Sequence, residues 1–113
     1  MLFRSLLANV RLAHWQADSS GNNHETLGKL YDELDEHVDE LVELTLGKNG
    51  SKEVSVEGLE LSANVSYGEL IQAALDLVSE TRSKFSEGDD DDAFNVLADI
   101  NSAINKAKYL LQV

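Results

Sequence analysis

Cysteine is absent from this 113-residue chain. Its absence excludes disulfides, zinc fingers, iron–sulfur clusters and thiol catalysis. It also removes redox usage as a guide to compartment, which leaves cytoplasm as the default expectation. Proline is absent too. Since proline removes a backbone donor and clashes with the preceding turn, a chain without it is free to run in long helices. Basic residues are scarce, nine Lys and Arg against 21 Asp and Glu, for a formal net charge of −12. Nucleic-acid binding needs a basic patch that displaces counterions from phosphate, and a polybasic membrane-surface protein needs clustered cations. Neither nucleic acid nor membrane is therefore an expected partner. No apolar run approaches the ~20 residues of a membrane span. The opening stretch Met1 to Leu7 carries one cation and no small-residue cleavage pattern, so it reads as structure rather than as a signal peptide.

What the chain does have is 42% hydrophobic residues, enough for one domain over 1–113 that buries roughly 65% of its unfolded surface. They fall into four periodic segments. In the first, about 2–16, Phe3, Leu7, Val10 and His14 recur at helical spacing, with His14 on the apolar line. The polar cluster 18–23 is a short turn, so the second helix should return antiparallel to the first. That helix is expected over about 23–46, capped by Asn22 or Asn23 and closed by Gly47 as its C′ residue. Leu27, Leu30, Leu34, Val38, Leu41 and Thr45 form its core stripe. A second line on the same helix holds His24, Gly28, Asp35, Asp39, Val42 and Leu46. Carboxylates, a histidine and apolar groups on one line do not make an ordinary solvated face.

Residues 47–65 contain a short alternating stretch, Glu53 to Glu57, but no second strand to pair with it. They read as a crossover long enough to leave helices two and three parallel. The third segment opens on Ser66-Tyr67-Gly68-Glu69, a capping box, and continues to about Glu87. The fourth follows Gly88, its opening acids Asp89 to Asp92 complementing the positive end of a helix dipole. A calcium loop would spread its oxygen ligands over about a dozen residues, and this run does not. The apolar positions from Ala93 to Leu110 and Leu111 complete the last helix. The expected fold class is all-α: a four-helix bundle with one long crossover between helices two and three, which is the ferritin-like connectivity.

The three histidines all lie in the first third of the chain. No Glu-x-x-His occurs on the second helix, which argues against a di-iron site within one chain. No serine sits on a strained turn of hydrolase type. The remaining set is His14, His24, Asp39 and Glu43. Asp39 and Glu43, at i and i+4, leave the same side of a helix and can chelate a hard cation or iron. His24 and Asp39 are about 22 Å apart along the helix axis, at 1.5 Å per residue. One ion cannot bridge them within a chain. A twofold dimer that packs helices one and two against their own copies would build two equivalent sites, each with its histidines from one chain and its carboxylates from the other.

The series His14-Trp15, His24-Glu25 and the stretch from Tyr31 to Glu43, with Asp39 and Glu43 at its end, resembles the ferroxidase segment of the Dps-like mini-ferritins. It is also similar to small ferritin-like proteins encoded by phages. The resemblance implies an intersubunit ferroxidase site at a twofold interface, with His14, His24, Asp39 and Glu43 as metal ligands and iron or another divalent metal as cofactor. Gly28 stands where the family has a further acid, and Leu44 where it has an arginine. The lysine-rich tail that serves DNA binding is missing, so that property does not carry over. The implied partner is at least a second copy of the chain. The reading from another class is a non-catalytic acidic module for oligomerisation or interaction, carrying a vestigial metal site. A small ligand in the bundle core has no polar cluster to support it. Trp15 reads as packing near its helix end, Tyr31 as core or interface, His37 as surface, and the pair Asp76/Glu80 as solvated.

Overall fold

The computed structural model describes residues 3–49 and 66–113, with side chains in the second helix described as far as Gly47. These described residues form four helices: α1 (Phe3–Gln16), α2 (Asn22–Asn49), α3 (Tyr67–Arg82) and α4 (Asp91–Leu111). No strand occurs among the described residues. The alternating stretch at 53–57, and most of the expected crossover, lie outside them.

One face of every helix meets a shared core. Leu6 and Val10 come from α1, Leu27, Leu30, Leu34, Val38 and Leu41 from α2, and Leu70, Ile71, Ala74, Leu77 and Val78 from α3. From α4, buried positions run from Ala93 to Leu111 at three- and four-residue intervals, with Leu97, Ile100 and Ile104 fully buried. That spacing keeps apolar groups on one side of a 3.6-residue turn. α1 packs on α2 and α3, and α4 packs on the same two helices. Among the described residues the Cα atoms of α2 and α3 stay more than 8 Å apart, and so do those of α1 and α4, so these pairs lie on the diagonals. His14 meets His24 and Arg11 reaches Tyr31, so α1 and α2 run antiparallel. Phe85 meets Phe94, while the backbone at Gly68 approaches Val113, so α3 and α4 do too.

Several boundaries differ from the expected ones. α2 continues through Gly47 to Asn49, so Gly47 is a helical residue and not a C′ stop. Among the described residues nothing lies within 4 Å of where its Cβ would stand. α3 stops at Arg82 rather than near Glu87. Its end tightens through i to i+3 bonds, from Lys84 N–H to the Thr81 carbonyl and from Phe85 N–H to the Arg82 carbonyl, and the Ser83 hydroxyl donates to the Glu80 carbonyl. At its other end Ser66 is the N-cap, its Oγ accepting from the Glu69 N–H at 3.2 Å. The acids before α4 close the α3–α4 turn. Asp90 accepts from the Ser86 N–H and Asp91 from the Gly88 N–H, with Gly88 at a φ of 87° that favours glycine. Leu110, expected in the core stripe, is exposed. It edges a groove of about 310 Å³ between the N-terminal half of α2 and the C-terminal half of α4.

Candidate metal centre

Two helix ends build the centre. The polar turn after α1 holds Asp18, whose carboxylate accepts from both the backbone N–H and the hydroxyl of Ser20, the pattern by which Asp sets a local turn. This brings the last turn of α1 against the first turn of α2, and with them His14 against His24. The rings stack with centroids 3.9 Å apart and an interplanar angle of 22°. His14 Nδ1 lies 2.7 Å from the His24 carbonyl oxygen, and His24 Nδ1 lies 2.7 Å from the His14 carbonyl oxygen. A carbonyl can only accept, so each Nδ1 carries the proton and donates. The His14 carbonyl sits in the last turn of α1, where carbonyls lack helical partners. His24 supplies one.

The tautomer of both rings follows. With Nδ1 protonated, each neutral imidazole keeps its lone pair on Nε2. A metal-binding histidine is oriented in this way by a backbone carbonyl behind its other nitrogen. Gly28, one turn beyond His24, makes room for the pair. A Cβ at this position would lie 2.8 Å from His14 Cε1 and 3.0 Å from His14 Nδ1. The Asp18 carboxyl is held below its ordinary value, chiefly by the Ser20 backbone N–H and then by the Ser20 hydroxyl; desolvation opposes them, and His24 adds the smallest effect, a lowering one.

Asp39 and Glu43 are exposed on α2, one turn apart, about 22 and about 28 Å of helix beyond His24. The structure therefore joins the two histidines and leaves the two carboxylates elsewhere on the same chain. Among the described residues no group of three His, Cys, Asp or Glu side chains is close enough to hold a metal ion. Asp76 and Glu80 are exposed, with Asp76 accepting from Gln72.

The protein-family comparison matches residues 14–111 to a family of unknown function, DUF5856. The chain belongs to this family. The DUF5856 match begins at His14 and includes His24, Asp39 and Glu43. No curated protein and no solved structure matches the chain.

Two side chains of this DUF5856 chain sit differently from expectation, and a third makes contacts that no expectation covered. Trp15 is 64% exposed rather than packed, because it follows Arg11 by one turn on the flank away from Leu6 and Val10. His37 is half-buried on the edge of the α2 core stripe, with its Nδ1 enclosed and lacking a hydrogen-bond partner among the described residues, 3.8 Å from a Glu40 oxygen. Arg11 was not singled out by its sequence position. Its guanidinium lies 5.1 Å from the Trp15 ring centroid and 4.9 Å from that of Tyr31. The i, i+4 spacing of Arg11 and Trp15 was the available signal, but the Tyr31 contact requires the hairpin.

Proposed function

We propose that this protein is a ferritin-like, Dps-like metal-binding protein that holds iron or another divalent cation between two copies of the chain. The single observation that carries the reading is the stacked histidine pair, each ring pinned at Nδ1 by the other residue's carbonyl. Nothing about core packing requires two imidazoles to be fixed in the same tautomer with both Nε2 atoms left for a ligand. His14 and His24 would supply two nitrogens, and Asp39 and Glu43 of the partner subunit the oxygens. That donor set suits iron, zinc or manganese. If iron(II) is the substrate, dioxygen or peroxide would be the oxidant, making the site a ferroxidase.

The ferritin-like crossover is supported by the diagonal placement of α2 and α3. α3 runs antiparallel to α4, and the groove joins the N-terminal half of α2 to the C-terminal half of α4. α2 and α3 then point the same way, and the stretch 50–65, at ~3.3 Å per residue, is long enough to travel between their ends.

Metal titration of the purified protein tests the site, read by calorimetry with zinc and by absorbance with iron(II) in air. Native protein should bind two ions per dimer. His24→Ala and Glu43→Gln should each weaken binding at least tenfold with circular dichroism unchanged. Mixing the two variants in equal amounts and letting subunits exchange should restore a quarter of the sites, because half of the dimers are then mixed and one of the two sites in each mixed dimer regains a full donor set. A native dimer that takes up no metal overturns the proposal and leaves the acidic interaction module. Unrestored binding in the mixture overturns the intersubunit arrangement.

A further inference from the structure

Arg11, Trp15 and Tyr31 form a cluster on the outer face of the α1–α2 hairpin, beside the histidine pair. The guanidinium is shared between the two rings, which fixes a flexible cation at a defined place before any partner arrives. Trp15 leaves 64% of its surface to solvent, and Val42 farther along α2 leaves 36%. Arg, Trp and Tyr are the side chains that most often dominate binding energy at interfaces, and preorganised ones lose the least entropy on docking. A large exposed aromatic carrying a stacked arginine therefore reads as an anchor awaiting an acidic surface.

The chain itself offers that surface. Between positions 32 and 43, α2 carries seven carboxylates and no lysine or arginine. Two such faces brought together would repel unless a cation lay between them. The dimer reading above sets the register. Packing α2 antiparallel on its copy with His24 level with the midpoint of Asp39 and Glu43 brings position 24 level with position 41, and position 31 level with position 34. Tyr31 and the arginine stacked on it then face the copy's acid on the same helix line, Asp35, which is exposed.

We propose that Arg11, held between Trp15 and Tyr31, is the anchor by which a second copy of this chain docks on the α1–α2 face, its guanidinium pairing with Asp35 of the partner subunit. The twofold makes the contact twice. It neutralises the acidic seam and fixes the register that puts each histidine pair opposite a carboxylate pair. This inference rests on the dimer of the proposed function but not on its metal.

Sedimentation velocity in EDTA tests it without metal. Native protein should sediment as a dimer or larger assembly. Arg11→Glu should weaken association at least tenfold with its helical circular dichroism retained. Asp35→Arg should weaken it similarly, and the exchanged pair Arg11→Glu with Asp35→Arg should recover association to within a fewfold of native. Arg11→Lys, which keeps the charge and loses the planar stack, should fall between native and Arg11→Glu and guards against a folding effect. A monomeric native chain, an Arg11→Glu variant that associates like native, or an exchanged pair that stays monomeric overturns the proposal. Metal uptake by a dimer insensitive to Arg11→Glu would sink this inference alone. A dimer that depends on Arg11 but takes up no metal would sink the metal reading alone.

Discussion

Replacing a helical glycine by alanine ordinarily stabilises a protein by about 0.4–1 kcal/mol, since alanine has less backbone freedom to lose. α2 contains two glycines for which the structure predicts opposite signs. At Gly47 an added Cβ meets nothing within 4 Å among the described residues, so Gly47→Ala should follow the rule. At Gly28 the same methyl would lie 2.8 Å from His14 Cε1 and 3.0 Å from Nδ1. A free ring end could swing away at little cost. The His14 ring is not free, because it is tied at Nδ1 to the His24 carbonyl and stacked on His24. Moving it forfeits a hydrogen bond of about 0.5–1.5 kcal/mol and adds strain of about 1–3 kcal/mol typical of an overfilled site. Against the helix gain, Gly28→Ala should be destabilising by about 0.5–4 kcal/mol. Urea unfolding of both variants beside native protein measures the difference. Nitrogen-detected NMR of the imidazoles reports whether His14 keeps its proton on Nδ1. If Gly28→Ala stabilises as much as Gly47→Ala and the His14 tautomer persists, the claim that the reciprocal hydrogen bonds hold the pair rigidly is refuted.

Leu97, in the N-terminal half of α4, is fully buried, and Leu97→Ala should cost about 2–5 kcal/mol in urea unfolding; a loss below 1 kcal/mol would mean that the core there collapses around the cavity. The depressed Asp18 carboxyl makes its contribution above its unfolded value near 3.8, and that contribution disappears as pH falls through the lower folded value. Native and Asp18→Asn proteins should thus differ in stability at pH 5–7 and converge in strong acid. An NMR titration midpoint for Asp18 at or above 3.8 would contradict the Ser20 hydrogen bonds.

The core was legible in the sequence wherever periodicity was strong. The α2 line from Leu27 to Leu41 and the α4 line from Ala93 to Ala107 are buried as their spacing requires, since apolar groups three and four apart can share only one helix face. Termini were harder to read. Gly47 looked like a stop but lies within a helix, because a glycine weakens a helix without ending it. The apolar pattern ran past Arg82, but the serines at 83 and 86 and the acids at 90 and 91 draw the backbone into a hydrogen-bonded turn. Leu110 and Trp15 carried apolar identity without an inward direction, and side-chain direction near a helix end depends on what the neighbouring helix leaves uncovered.

The same division applies to the candidate centre. Residue order alone determined that His24 lies near the start of one helix with Asp39 and Glu43 along its length, and that one rigid rod cannot bring them to the same ion, because its rise per residue is set by backbone geometry. Only tertiary structure decided that the two histidines stack, that each donates to the other's carbonyl, that Gly28 leaves space for the His14 ring, and that Arg11 lies between two aromatic rings from different helices. Those contacts join residues up to 20 positions apart. They depend on how the turn between α1 and α2 sets the register of the hairpin, a consequence of three-dimensional closure that periodicity along a single helix does not encode.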